Sequence, residues 1–235
     1  MGRLVHAEVE HAAATPRALE PLFVLSNASL FALHAPALWS ARVAFAQPIA
    51  PLADAARTRP LVWLAWHRYN FAATAALRAL PAALRPTLVM HDGLASRALT
   101  HEASAWLGFE TFVFRRRSPV SPRAQLVDYM RATGRSIVNL PDSGGPYGVM
   151  KPGILEVARA CDALIVPFAI AARPSLTLGR SLRHVVPLPF ARIVLARGEP
   201  LAAADATVDG CQRALDRLER CALATECSDR ARPSG

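Results

Sequence analysis

The chain has 235 residues, of which 52% are hydrophobic, and is therefore long and apolar enough to form one domain with a substantial core. Its formal net charge of +9 comes almost entirely from arginine, and this excess predicts anionic partners. The arginines are scattered rather than interleaved with aromatic residues, and no nucleic-acid-binding signature is present, which excludes DNA or RNA as the predicted partner.

The four cysteines have spacings that fit neither a zinc site nor a disulfide framework, so free thiols in a reducing compartment are predicted and no metal is expected. The first residues include Glu8 and Glu10 and lack the apolar core of a signal peptide. Residues 21–41 carry no formal charge, but polar residues and Pro36 interrupt them. This segment is therefore predicted to cover the core or to lie on a membrane surface, and not to span a membrane.

In chain order, a loosely ordered stretch at 1–20 precedes a helical segment at 21–46 and a proline-bounded connection at 48–60. Short apolar runs predict six strands, at 61–66, 87–91, 111–115, 136–140, 164–172 and 192–196. Helical patterns lie between and after them, at 70–80, 95–107, 122–133, 152–161 and 203–224. Ser121 is the predicted N-cap of the third helix in this series, and Gly108 and Gly134 are predicted helix ends.

Strands that alternate with helices and read as continuous apolar runs are typical of an α/β fold with a central, largely parallel sheet flanked by helices. The chain is divided into an N-terminal helical segment at 1–60 and a single α/β core at 61–201. A C-terminal helix at 202–226 is predicted to pack on the core, and the tail at 227–235 is predicted to be disordered.

Chemistry-bearing side chains follow four of the predicted strands. His67 ends the first strand, Asp92 follows the second, an arginine run ends the third and Asp142 follows the fourth; the run consists of Arg115, Arg116 and Arg117. Because ligands of parallel sheets bind at the carboxyl ends of the strands, these residues predict one shared site. A histidine at such a position suits a general base, and clustered arginines bind phosphate or carboxylate.

The loop at 139–153 joins the fourth predicted strand to a helix and contains four glycines, three prolines, Asp142 and the only lysine, Lys151. Long loops inside compact domains usually carry function, so we interpret it as a substrate loop. Its glycines also suit a phosphate at a helix N-terminus, although no nucleotide-binding glycine motif is present.

Within this loop, Asp-Ser-Gly-Gly-Pro at 142–146 matches the pentapeptide around the nucleophile of trypsin-like serine proteases. His67, Asp92 and Ser143 even follow the order of that family's triad. That fold is all-β, whereas this chain alternates strands and helices, and a triad is recognised by geometry rather than by a pentapeptide. A hydrolase that uses Ser143 is kept as an alternative.

Four blocks in order and spacing resemble a known family. They are Trp-His-Arg at 66–68, a block from Gly-Phe at 108–109 to Arg-Arg-Arg-Ser at 115–118, Leu-Pro-Asp-Ser-Gly-Gly-Pro followed by Lys-Pro-Gly within 140–153, and Ile-Val-Pro-Phe-Ala-Ile at 165–170. On these blocks, residues 61–201 resemble the glycerolipid or lysophospholipid acyltransferase superfamily. They look most like a bacterial branch long catalogued as a domain of unknown function, which includes atypical secondary acyltransferases of lipid A.

The resemblance implies an O-acyltransferase that moves a fatty acyl chain from an acyl thioester to a hydroxyl of a lysophospholipid or lipid A-type acceptor. His67 would be the catalytic base and Asp142 its supporting carboxylate, with an oxygen within direct or one-water reach of the His67 ring. The arginine run and Lys151 would bind the phosphate of the acceptor. Backbone N–H groups of Ser143, Gly144 and Gly145 would stabilise the oxyanion.

No cofactor is implied, because acyl carrier protein or coenzyme A brings the acyl chain as a co-substrate. An acidic carrier protein suits a chain of net charge +9. Since the acceptor is a membrane lipid, the protein is expected to sit peripherally on the cytoplasmic face of the inner membrane, on an anionic lipid surface.

Two departures from the family pattern are visible. The usual His-x-x-x-x-Asp motif would place aspartate at position 72, where this chain has Ala72. The carboxylate that orients His67 must then come from Asp142, or from Asp92 as the second candidate. The third block also lacks its usual arginine, so the family's acceptor contacts do not carry over to this chain. Ala72 makes a degenerate, non-catalytic lipid-binding domain a further alternative.

Overall fold

In the computed structural model of the chain, the described residues are 35–92, 104–105, 107–143, 145–179 and 183–230, and side chains are described up to 222 and at 224. The N-terminal residues 1–34, most of the predicted helix at 95–107 and Gly144 lie outside these ranges. The predictions made for those segments stay predictions.

Eight strands of the described residues form one sheet. They are β1 (Arg42–Phe45), β2 (Leu61–Leu64), β3 (Thr87–His91), β4 (Thr111–Phe114), β5 (Ile137–Asn139), β6 (Leu164–Leu178), β7 (His184–Arg197) and β8 (Leu201–Ala202). The strand order is β1-β7-β6-β2-β5-β3-β4, and β8 also pairs with β6. Every pairing is parallel except those that β6 makes with β7 and β8.

Helices flank this sheet. They are α1 (Ala50–Ala55), α2 (Asn70–Arg78), α3 (Pro122–Thr133), α4 (Gly153–Ala160) and α5 (Val208–Arg230), with short 3-10 turns at His67–Tyr69 and Ala82–Leu84. Residues 35–40 are also helical. The predicted α/β class, with a largely parallel central sheet flanked by helices, is confirmed.

The centre of the sheet is buried on both faces, as its apolar sequence predicts. Every residue of β2 is fully buried, and the Trp63 ring meets the edge of the Phe168 ring at a centroid distance of 5.9 Å. One face of α4 buries its apolar residues, among them Leu155 and Val157. Each such side chain contributes about 1.5–3 kcal/mol on burial, so the central strands are held firmly in place.

Four predicted elements have other bounds in the structure. Residues 42–45, predicted to continue a helix, form edge strand β1, whose partner β7 lies 150 residues later and leaves no local signal. The strands predicted at 164–172 and 192–196 are longer, because β6 and β7 form one antiparallel hairpin. Helix α5 continues to Arg230, beyond its predicted end at 224 and into the tail from Cys227 that is predicted to be disordered.

A bulge interrupts the pairing of β6 with β7 and separates the distal half of the hairpin, residues 175–178 and 184–187, from the rest. Arg173 pairs with Arg192, whereas Ser175 pairs with Pro187, so residues 188–191 of β7 lie opposite a single residue of β6. Bulges bend the strand that carries them and increase its twist. β7 packs against the His67–Tyr69 turn and α2, and its first residue, His184, contacts the rings of His67 and Phe71. No helix in the described ranges has both the length and the apolarity needed to cross a membrane.

Candidate active site

His67 lies at the carboxyl end of β2, where the chain leaves the sheet. Trp66 is extended, and His67 then opens a single 3-10 turn that leads directly into α2. Tyr69, at the end of this turn, is buried and anchors it in the core. The local sequence therefore fixes the backbone of His67 at the rim of the sheet, with its side chain half-buried.

Asp142 meets His67 from the neighbouring strand. It follows β5, which pairs in parallel with β2, so the two strand ends lie at the same edge of the sheet. The Asp142 carboxylate is 2% exposed, and its Oδ1 accepts a hydrogen bond of 2.8 Å from the backbone N–H of His67. Its Oδ2 accepts one of 3.0 Å from the N–H of Gly148. Hydrogen bonds to both oxygens offset the free-energy cost of burying this carboxylate. Through them, Asp142 connects the His67 turn to the glycine-rich loop.

The contact between Asp142 and His67 therefore runs through the backbone. The sequence predicts an Asp142 oxygen within direct or one-water reach of the His67 ring, and in the described structure no direct hydrogen bond joins the carboxylate to the imidazole. His67 Nδ1 is buried and has no hydrogen-bond partner among the described residues. The carboxylate acts on the ring through space, because its charge raises the pKa of His67.

A second histidine that the sequence analysis did not single out lies beside His67. His184 begins β7, and its ring stands edge-on to the His67 ring at a centroid distance of 5.3 Å and an angle of 73°. The Phe71 ring contacts His184 at the same centroid distance. Because β7 is antiparallel to β6, its first residue lies at the edge where the parallel strands end. Recognition of the β6–β7 hairpin would have placed His184 at this edge.

Both histidines favour the neutral form. Burial is the largest cause that lowers the pKa of His67 below its ordinary value of 6.5, and it outweighs the opposing charge of Asp142. Burial also lowers the pKa of His184, as does the neighbouring His67, against hydrogen bonding to the His67 backbone and the charge of Asp142. At neutral pH, the site therefore offers imidazole groups that are free to accept a proton.

Asp92, the second candidate for the orienting carboxylate, lies in a different part of the rim. It follows β3, which is two strands from β2, a separation of about 10 Å at the usual strand spacing. Its Oδ1 accepts a 3.2 Å hydrogen bond from the backbone N–H of Arg116. Asp92 thus holds the start of the arginine run, and no hydrogen bond of the described residues links it to His67.

The arginine run continues from β4, three strands from β2. Arg115, Arg116 and Arg117 are exposed, and Gln125 of α3 holds the backbone at the start of the run. Its amide oxygen accepts from the Arg115 N–H at 2.9 Å, and its amide nitrogen donates to the Arg115 carbonyl at 3.0 Å. The backbone of the run is thus fixed, while its side chains are exposed to solvent.

Two of the three N–H groups predicted to stabilise the oxyanion, those of Ser143 and Gly145, make hydrogen bonds within the loop, and the third, of Gly144, lies outside the described residues. The Ser143 N–H donates to the Leu140 carbonyl and the Gly145 N–H donates to the Asp142 carbonyl, both at 3.0 Å. These two N–H groups are therefore occupied in tight turns and are not free to bind an oxyanion. Lys151 Nζ donates to the Ser143 carbonyl at 2.6 Å, so the lysine, predicted to bind the acceptor, also braces this turn.

Helix α5 also holds the glycine-rich loop, through the side chain of Gln212. The Gln212 side-chain oxygen accepts a 2.8 Å bond from the Met150 N–H, and its nitrogen donates to the Gly148 carbonyl at 2.9 Å. Asp216, one turn further along, accepts from the same Gln212 nitrogen. Gly148 is consequently held by Asp142 and Gln212 together, which links the C-terminal helix to the candidate base.

Position 72, where the resemblance leads one to expect a carboxylate, is a fully buried alanine in α2. Across the described ranges, no group of three or more His, Cys, Asp or Glu side chains is arranged to hold a metal ion. A cleft of about 450 Å³ lies elsewhere, and Trp39, Arg78 and Arg85 are among its lining residues. It is at the far end of α2 from His67 and does not include the histidine pair.

Comparison with known proteins finds a similarity in fold. No protein-family model matches the chain, and no curated protein sequence matches it. Among solved structures, the fold is similar to the crystal structure of the 1-acyl-sn-glycerophosphate (LPA) acyltransferase, PlsC, from Thermotoga maritima. The TM-score is 0.52 and the sequence identity is 14%, over 94% of this chain and 86% of that chain. At this identity, the likeness establishes a common fold.

Proposed function

We propose that the protein is an O-acyltransferase in which His67 is the general base and the acceptor is a lipid hydroxyl. The observation that carries the proposal is the neutral, half-buried imidazole at the carboxyl edge of the sheet, with its backbone fixed by a buried carboxylate. Ligands of open α/β sheets bind at this edge. A base that is neutral at working pH is what proton removal from a hydroxyl requires.

In the proposed reaction, the His67 imidazole takes the proton of the acceptor hydroxyl while the oxygen bonds to the thioester carbonyl carbon. The bond between that carbon and sulfur then breaks, and the thiolate leaves with the proton returned by His67. The product is an ester, and no oxidant or reductant is needed. The negative charge of Asp142 favours the imidazolium that forms during the step, because it raises the pKa of His67.

The donor in this proposal is a fatty acyl thioester of acyl carrier protein or coenzyme A. The acceptor is a lysophospholipid or a lipid A-type molecule, whose phosphate is bound by Arg116 and Arg117, with Arg115 and Lys151 as further contributors. The exposed arginine side chains and the net charge of +9 support an anionic acceptor and an anionic membrane surface. We place the protein peripherally on the cytoplasmic face of the inner membrane.

The geometry speaks against the hydrolase alternative. In the described part of the chain, no hydrogen bond joins the Ser143 hydroxyl to His67 or His184, and Asp92 bonds the backbone of Arg116 instead of a histidine. The triad His67, Asp92 and Ser143 is therefore not assembled. A non-catalytic lipid-binding domain is the second candidate, and the buried Ala72 at the position of the expected carboxylate favours it.

The test is acyl transfer by the purified protein to a panel of lysophospholipids and lipid A precursors, with both acyl donors. His67→Ala should lose at least about 100-fold in rate, the lower range for a general base, because the variant lacks the proposed base. Ser143→Ala is the matched control and should retain the wild-type rate. Loss in Ser143→Ala would support the hydrolase, whereas lipid binding without turnover in the wild type would support the non-catalytic alternative.

A further inference from the structure

The distal half of the β6–β7 hairpin carries exposed apolar side chains beside the candidate base. Beyond the bulge, Leu176 pairs with Val186 and Leu178 pairs with His184. Directly opposite residues of a ladder share one face of the sheet, so both leucines lie on the face that presents His184 to His67. Leu176 is 49% exposed and Leu178 is 44% exposed. An apolar strip thus lies open to solvent next to the histidine pair.

Three arginines lie side by side next to the bulge of the same hairpin. Arg42 of β1 is in register with Arg192 of β7, and Arg192 is in register with Arg173 of β6. Like charges directly opposite each other destabilise a sheet, and no salt bridge within the described ranges neutralises any of the three. Arg173 Nη2 is also buried without a hydrogen-bond partner among the described residues. This arginine row is therefore expected to bind an anion.

The sequence of the hairpin has no negative charge to offset the row. Residues 163–198 include five arginines and neither aspartate nor glutamate. Phe190, two residues before Arg192, is 79% exposed. Its φ of +64° is in the left-handed region, and its N–H donates to Ser40 Oγ at 2.7 Å, which fixes the bulge from which the ring projects. The hairpin therefore combines exposed large apolar groups with uncompensated positive charge.

We propose that the β6–β7 hairpin docks the protein on an anionic lipid surface. Leu176, Leu178 and Phe190 enter the boundary between head groups and acyl chains, and the arginine row binds lipid phosphates. The two leucines of the apolar strip share a face of the sheet with His184, so docking of this strip brings the lipid surface to the histidine pair. The proposal assigns a membrane contact to this hairpin. Docking needs no acyl donor, so it can succeed or fail independently of the proposed catalysis.

The experiment is sedimentation of the full chain with vesicles of phosphatidylcholine alone and of equal parts phosphatidylcholine and phosphatidylglycerol. Arg42→Gln/Arg192→Gln should weaken partitioning to the anionic vesicles by about tenfold or more, since each basic residue near such a surface is worth about fivefold. Leu176→Ser/Leu178→Ser/Phe190→Ser should also lose binding. The matched controls are Arg57→Gln/Arg213→Gln and Val120→Ser, which change exposed residues elsewhere and should bind as the wild type does.

Circular dichroism and thermal unfolding of each variant verify its fold. Phe190→Trp, which keeps an exposed aromatic ring, should retain binding, and His67→Ala should bind vesicles normally even if it is inactive. Equal binding by wild type and both hairpin variants would overturn the proposal. So would equal losses in the hairpin variants and the controls. If the apolar variant instead turned a dimer into a monomer with unchanged vesicle binding, the surface would be an interface between two copies, and the proposal would be wrong.

Discussion

At the scale of single residues, Asp142 connects the backbone of two segments with one buried side chain. Its Oδ1 accepts from the His67 N–H and its Oδ2 accepts from the Gly148 N–H. The two N–H groups and the buried carboxylate thus all have hydrogen-bond partners. A buried charge without such partners would be strongly unfavourable. The same charge also acts on the imidazole, so Asp142 has an electrostatic role in addition to its positional one.

Asp142→Asn tests that electrostatic role. The charge of Asp142 raises the pKa of His67, so its removal should lower that pKa further and move the acid limb of kcat/KM to lower pH. The maximal rate should fall more than the apparent affinity for the acceptor, because the imidazolium formed in the reaction loses its counter-charge. The pH–rate profile of the variant measures both effects.

Asp92→Asn is the matched control for this prediction. Its carboxylate bonds the backbone of Arg116 and should leave the acid limb where it is. An unchanged rate in Asp142→Asn, or a shift of the acid limb to higher pH, would contradict the assigned role of Asp142.

At the scale of elements, the glycine-rich loop owes its position to α5 as much as to β5. Gln212 of α5 accepts from the Met150 N–H and donates to the Gly148 carbonyl, while Asp142 holds the Gly148 N–H. Backbone groups of Gly148 and Met150 are thus held by Asp142 and by Gln212, which lie far apart in the sequence. Displacement of α5 would be transmitted to Asp142 and from there to the His67 turn.

Gln212→Ala should loosen the loop without unfolding the protein. The loss of two hydrogen bonds to backbone groups is expected to cost about 1–3 kcal/mol of unfolding free energy. Hydrogen exchange should accelerate at the Met150 amide, which loses its acceptor, more than at the Gly148 amide, which keeps Asp142. Arg213→Ala, at an exposed neighbour on α5, is the control. Equal protection of the Met150 amide in the wild type and in Gln212→Ala would show that α5 does not anchor the loop.

Elements whose ends are marked by local chemistry were predictable from the sequence. Helix α3 has the predicted bounds, because Ser121 Oγ accepts from the Ala124 N–H and Gly134 ends the helix with a φ of +65°. Strand β1 was not predictable, since its register is set by a partner 150 residues away. The residues of the candidate site also differ in whether the sequence could predict their place. His67 and Asp142 follow parallel strands, whereas His184 reaches them only through the bent hairpin.

At the scale of the whole molecule, the histidine pair should make stability depend on pH. The folded-state pKa values of His67 and His184 are lowered mainly by burial, while both titrate near 6.5 in the unfolded chain. As the pH falls below about 6.5, the unfolded chain binds more protons than the folded one, so the unfolding free energy decreases until the folded-state pKa values are passed.

Urea unfolding at about pH 7.5 and about pH 5.5, on either side of the ordinary histidine pKa, measures this effect. The wild type should lose more stability on acidification than His67→Asn/His184→Asn, in which the two groups no longer titrate. Equal losses in the two proteins would mean that burial of the histidines does not contribute to acid sensitivity.

The pairing of β1 with β7 has a consequence for how the chain is made. Phe45 lies opposite Leu195, and at ribosomal speeds of about 5–20 residues per second the strand waits roughly 8–30 s for its partner to be synthesised. Until then β1 has no partner strand, and its unpaired backbone groups can mispair with another nascent chain. The strand that finally covers it also delivers His184 to His67. The pairing of β1 and the formation of the histidine pair therefore both depend on β7, and a chain truncated before β7 has neither.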